Sequence, residues 1–197
     1  MDQLSDEWAR IISWCQKRAP VTAASLNPPA QAEKVARAES ATGRQWPSDL
    51  RTWFLLHNGS DQGRAYPQVI PGYRPVTLVE LEQEWTSLCR IWAPTTAAVG
   101  GDGLLAAPAG TTAFTFLESY IPIAANDSSE YVVIDTRSGD EMGCVVEFIG
   151  EDTDQGLMRW PSLAAMIKDV ADALDSDSPC RGWVPIVENG YLDWDFP

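Results

Sequence analysis

The chain has one histidine, His57, and four cysteines, Cys15, Cys89, Cys144 and Cys180, which stand far apart with no CxxC pair among them. A zinc centre needs several thiolate or imidazole ligands at close spacing, so no metal is expected. A catalytic histidine would need a partner assembled around this one residue. No apolar run approaches the roughly 18 residues that span a bilayer, and the opening MDQLSDEWAR lacks the charged-then-apolar order of a signal peptide. The glycines of GGDG, from Gly100, come without the lysine and following Ser/Thr of a phosphate loop and without the spacing of a dinucleotide fold. Basic residues are scarce as well: 14 Lys+Arg face 28 Asp+Glu, giving a formal net charge of −14. Such a chain repels nucleic acid phosphates and anionic lipid, so neither nucleic acid nor membrane is expected as a partner. The thiols are expected to be free and buried, in a reducing cytoplasm.

What is present is a large apolar inventory and an uneven charge. With 197 residues and 45% hydrophobic content, the chain can bury a sizeable core, and a single domain over 1–197 is expected. Nine tryptophans are expected mostly in that core. Residues 1–92 hold 10 Lys+Arg and 10 Asp+Glu, whereas residues 93–197 hold 4 and 18, so the whole excess lies in the back half. A basic partner is favoured.

Apolar spacing outlines the elements. Leu4, Trp8, Ile11, Ile12 and Cys15 recur at helical intervals after a capping Ser5, and Ala19-Pro20 ends the run. Residues 30–42 form a second helix, stopped at Gly43. A third is predicted from an N-cap at Ser48, with Asp49 near its positive end and Leu50, Trp53, Phe54 and Leu56 supplying contacts, and Asn58-Gly59 closes it. His57 then sits in the last turn, where the helix dipole favours an imidazolium, and its role is expected to be structural. The row from Tyr66 to Val76 reads as a strand interrupted at Pro71-Gly72, which places it at a sheet edge or makes it a bent strand. Thr77-Leu-Val-Glu80 fits a capping box opening a helix through Trp92. Residues 93–117, rich in Gly and Ala, read as an extended loop or insertion.

Three strands follow, 120–124, 131–135 and 144–149, separated by the short polar turns AANDSSE and TRSGDEMG, which imply antiparallel neighbours. After Trp160-Pro161-Ser162, the stripe Leu163, Met166, Ile167, Val170, Ala171 and Leu174 predicts a helix. The aromatic tail 179–197 is expected to add an irregular strand. The result is an α+β class: N-terminal helices, a mostly antiparallel meandering sheet of about five to six strands, and a C-terminal helix packed on the sheet.

The order of these signals resembles the SUKH superfamily, whose members include fungal cell-wall-assembly regulators and bacterial immunity proteins. The resemblance is carried by Glu39, Gly43, Pro47, Asp49, Leu50, Asn58 and Gly59, then Thr77-Leu-Val-Glu80 with Trp85, then Ile121-Pro122-Ile123-Ala124, Asp127, Val133-Ile134-Asp135, Gly143 and Val145. It covers about residues 30–174. Trp46 departs from the aliphatic residue usual before Pro47, and the insertion at 93–117 is long. The resemblance implies a non-catalytic domain without cofactor that binds another protein, with structural roles for Glu39, Gly43, Pro47, Asp49, Asn58, Gly59, Asp135 and Gly143.

Three functions follow for testing against a structure. An immunity protein would neutralise a basic toxin domain, such as a nuclease, through aromatic anchors among carboxylates: Tyr66, Tyr73 and Tyr120 beside Asp127, Glu130, Glu151, Asp152 and Asp154. Such a protein is expected to be a monomer when free. A regulatory module would bind a host protein, with 93–117 as a docking segment. A hydrolase would need Asp127, Glu130, Asp135 and His57 to meet in one pocket, which the expected exposure of AANDSSE argues against.

Overall fold

The computed structural model describes residues 3–60, 67–150 and 159–197. The first helix, α1 (Gln3–Arg18), buries Leu4, Trp8, Ile11 and Cys15 along one stripe, and Ser5 lies inside its first turn, not at its cap. The expected stop at Ala19-Pro20 is a restart. Proline is accepted at the first helical position, where its missing N–H has no intrahelical partner to lose, and α2 (Pro20–Ser25) begins there. Next come α3 (Ala32–Thr42), closed by Gly43 at φ 62°, and α4 (Ser48–Leu56), whose N-cap is Pro47, one residue before the position expected. The bent strand expected from Tyr66 to Val76 is reduced to β1 (Arg74–Pro75) within the described residues. Gly72 at φ 75° turns the chain just ahead of it, and a proline cannot extend the ladder.

The capping box at α5 (Leu78–Ala98) is complete: the Thr77 hydroxyl accepts from Glu80 N–H, and the Glu80 carboxylate accepts from Thr77 N–H. This helix does not end at Trp92. It continues through Pro94 to Ala98, where Ala93, Ala97 and Ala98 are strong helix formers. After Gly100 at φ 93° comes a short α6 (Gly101–Ala106). Roughly half of the predicted insertion is therefore helical.

The strands β2 (Tyr120–Ala125), β3 (Tyr131–Asp135), β4 (Val145–Phe148) and β5 (Arg159–Trp160) join β1 in a five-stranded meander, β1-β2-β3-β4-β5, with every pair antiparallel. Ile121 faces Ile134 and Val133 faces Val146 across the ladders. Every residue of β2, β3 and β4 is buried, which accounts for their largely apolar sequences, with Asp135 and Glu147 as buried exceptions, since alternation appears only where one face meets water. Trp92 of α5 meets Phe148 edge-on at 5.3 Å, and Phe116 meets the same ring at 5.2 Å. α7 (Leu163–Ser176), capped by Ser162, buries its whole predicted stripe and packs against α1, α4 and β5.

The tail forms a regular hairpin, β6 (Val184–Glu188) and β7 (Tyr191–Asp195). Asn189 and Gly190, at φ 51° and 83°, form the two-residue turn whose twist matches that of the flanking strands. The hairpin is tied to α2: the N–H groups of Val21 and Thr22 donate to Gly190 C=O, and Leu192 N–H donates to the Thr22 hydroxyl. One hydrophobic cluster runs from Leu4 to Trp194.

Candidate functional site

Strand alternation sorts the hairpin's side chains. Leu192 and Trp194 are buried, so Tyr191, Asp193 and Asp195 share the outward face with their cross-strand partners Glu188, Ile186 and Val184. That face carries three carboxylates and no cation. Beside it lies a hollow of about 320 Å³, lined by Gln68, Gly72, Asn126, Asp127, Ser128, Trp183, Asp193 and Trp194. Its walls are braced. A Cβ at Gly72 would touch the Trp183 ring at 3.5 Å, Phe196 meets that ring at 5.3 Å, and the Trp194 indole N–H donates to Gln68 C=O at 2.8 Å. Asp127 projects from a turn organised by Asn126, whose carbonyl accepts from the N–H groups of Ser128 and Glu130 while its amide donates to the Glu130 carboxylate.

Elsewhere the back-half acids are largely neutralised by cations from the front half and by the few of their own. Arg10 reaches Asp172 at 2.9 Å and Asp175 at 2.6 Å, and Arg18 reaches Asp177 at 2.7 Å. Arg44 pairs with Glu118, Arg159 with Glu141 and Arg181 with Asp169. Lys168 and Arg10 hold the Asp172 carboxyl below its ordinary range. A larger hollow of about 410 Å³ on α1 is lined by Asp6, Trp14, Arg10, Arg18 and Asp175, but its arginines are already engaged with acids. Among the described residues no ion pair reaches Asp127, Glu188, Asp193 or Asp195; Asp102 and Asp140 are likewise unpaired elsewhere, and what distinguishes the hairpin acids is that Glu188, Asp193 and Asp195 share one strand face.

The residues predicted to face a partner scatter. Asp127 is exposed at the rim of the hollow and Glu130 is half-buried behind it. Tyr73 and Tyr120 are 2% and 1% exposed, and a partner reaches neither ring. The Tyr73 hydroxyl donates to Glu147 at 2.6 Å, and burial together with that carboxylate pushes its pKa far up. Tyr120 packs against Phe116 with the Arg137 guanidinium over its ring. Tyr66, Glu151, Asp152 and Asp154 lie outside the described residues.

The predicted structural residues sit at junctions. Glu39 accepts from Trp46 N–H and binds Arg51 through two hydrogen bonds of 2.6 and 2.7 Å, which hold its carboxyl below its ordinary range. Pro47 packs on Gly143, where a Cβ would stand 3.1 Å from the proline ring. Asp49 stands in the first turn of α4. Asn58 accepts from Leu78 N–H, joining the end of α4 to the start of α5. Asp135 and Arg137 form a fully buried ion pair of 2.7 Å. Asp135 also accepts from Gly110 N–H, while Arg137 donates to the carbonyls of Leu104 and Thr111, clamping the segment after α6 to the sheet.

His57 lies just past α4, with an extended backbone at φ −160°. Its ring stacks on Trp8 at 4.3 Å and meets Trp53 edge-on at 4.1 Å, and Nδ1 accepts from Gly59 N–H. Burial brings its pKa down to about 3, so the imidazolium expected from the helix dipole gives way to a neutral ring. Among the described residues no carboxylate is bonded to it, and it does not meet Asp127, Glu130 or Asp135. Because the folded pKa lies below the ordinary 6.5, protons favour the unfolded chain, and this stability is present above pH 6.5 and drains as pH falls towards 3. From pH 7 to 5 the loss is about 2 kcal/mol. Urea unfolding of His57→Phe should lack that slope, and the His57 Cε1 proton should keep a constant shift over the same range. A ring titrating near pH 6 would contradict the buried neutral form.

Among the described residues no group of His, Cys, Asp and Glu is arranged to hold a metal ion, and no helix is long and apolar enough to cross a membrane. Residues 29–169 match the model of the SMI1 / KNR4 family (SUKH-1). No curated protein matches the chain. Since that match spans well over half of its length, the chain belongs to the SMI1 / KNR4 (SUKH-1) family. The hairpin lies beyond the matched residues.

Proposed function

We propose that the chain is a non-catalytic, cytoplasmic protein-binding domain that acts as an immunity protein, neutralising a cognate toxin with a basic surface such as a nuclease. The observation that carries this reading is the group of carboxylates at the hairpin face, Asp127, Glu188, Asp193 and Asp195, for which the described part of the chain supplies no cation. A nuclease presents a basic cleft to its substrate. An acidic cover complements such a cleft and accelerates encounter, while aromatic side chains supply affinity. Glu130 and, outside the described residues, Tyr66, Glu151, Asp152 and Asp154 are further proposed partner-facing residues. The family supports a protein partner. A binding role also agrees with a histidine sealed between two tryptophans.

Co-expression with the protein encoded beside it tests the reading: the chain should restore growth to cells making that neighbour and co-purify with it. Replacing the four carboxylates together (Asp127→Asn, Glu188→Gln, Asp193→Asn, Asp195→Asn) should slow association about tenfold at low salt, with a smaller effect at high salt. Absence of both rescue and complex would reject toxin immunity. Recovery of a host protein instead would favour a regulatory interaction module.

A further inference from the structure

Among the described residues Arg18 is held between the Trp14 ring, at 5.0 Å, and Asp177, at 2.7 Å, and a second guanidinium shares the arrangement. Arg181 lies 5.1 Å over the Trp160 ring while its Nε approaches Asp169 at 3.5 Å. That arrangement combines cation–π attraction with an ion pair, and arginine suits it because its planar group can stack while its charge pairs. The hollow between the hairpin and the Asn126 turn offers the same two components, with Trp183 as the ring and Asp127 and Asp193 as the carboxylates, and no Lys or Arg among the described residues lining it.

We propose that this hollow receives an arginine side chain projecting from the partner protein, stacked on Trp183 and paired with Asp127 and Asp193. The proposal rests on the protein-binding reading above and names the chemistry at its centre. Three features suit the hollow to an anchor. Trp183 is half-buried and fixed between Gly72 and Phe196, so little freedom is lost on binding. Exposed apolar surface continues from Trp183 to Phe196, 56% exposed, giving the aliphatic stem something to cover. The carboxylates of Glu188 and Asp195 stand on the same strand face as Asp193 and add the complementary sign. Lysine, a strongly hydrated point charge, fits a stacked site less well.

Titration of the full chain with hexa-arginine and hexalysine peptides, followed by the Trp183 indole N–H in 1H–15N spectra, tests this. Hexa-arginine should shift that resonance saturably and bind at least about fivefold more tightly than hexalysine. Trp183→Leu, and separately Asp127→Asn with Asp193→Asn, should each weaken hexa-arginine at least about tenfold. Asp102→Asn with Asp140→Asn removes two exposed acids elsewhere and should leave binding within about twofold; circular dichroism verifies that all variants are folded. Equal affinity for the two peptides, equal loss in the control pair, or no shift of Trp183 overturns the proposal. Should a toxin partner be found, undiminished capture by Trp183→Leu overturns the arginine site and leaves immunity standing, whereas failure of the unaltered chain to rescue cells strikes the immunity reading alone.

Discussion

Replacing Arg137 with methionine is expected to destabilise the fold by about 3–5 kcal/mol and lower Tm by about 10 °C or more. The guanidinium and its partner Asp135 are 1% and 0% exposed, so removing the cation strands a carboxylate out of reach of water. Two carbonyls, Leu104 and Thr111, lose their donor in the same step. Methionine fills much of the volume, which makes the effect electrostatic more than steric. Combining Arg137→Met with Asp135→Asn should cost less than the sum of the single changes, because no unpaired charge remains buried, with a coupling of about 2 kcal/mol. Hydrogen exchange at Gly110 N–H, which donates to Asp135, should accelerate before exchange in β3. A loss below about 1 kcal/mol would mean that the pair is solvated.

The second large effect concerns Gly59. At φ 68° it occupies backbone space that side chains rarely adopt, and a Cβ there would lie 2.5 Å from both Thr77 N and Val76 O. Main chain cannot swing aside as the end of a flexible side chain can. Gly59→Ala must therefore displace the 76–77 backbone and loosen the Asn58 hydrogen bond that holds the first turn of α5. We expect a cost of about 3 kcal/mol or more in urea unfolding, well above strain alone. Gly43→Ala is the comparison: φ is nearly the same at 62°, but nothing lies within 4 Å of the added carbon, so about 1 kcal/mol is expected. Similar losses at the two sites would show that conformation, not the close approach, sets the cost.

These positions also mark what local sequence can reveal. Gly43, Thr77 and Glu80 act through neighbours within a few residues, and their caps were readable without a structure. The meander was readable because short polar turns leave adjacent runs little choice but to pair antiparallel. Tyr73 and Tyr120 were misread as surface anchors: β2, covered on both faces, shows no alternation to tell inside from outside at Tyr120, and Tyr73, just ahead of β1, turns inward to Glu147, a partner distant in sequence. Asp127 was legible as a turn acid. Its companions Trp183 and Asp193 were not, because they join it only through tertiary packing across more than 50 residues. Arg137 was hidden for the same reason: its carbonyl partners come from residues 104 and 111. The hairpin did carry a local signal, Asn189-Gly190 between two apolar-rich runs, which reading the tail as irregular passed over.

The alternation along β7 has an evolutionary corollary. Leu192 and Trp194 anchor the ribbon inward, whereas Tyr191, Asp193 and Asp195 are spoken for by nothing in the described scaffold beyond their immediate neighbours. Every second letter of this ribbon can therefore be rewritten while the intervening letters keep the architecture intact.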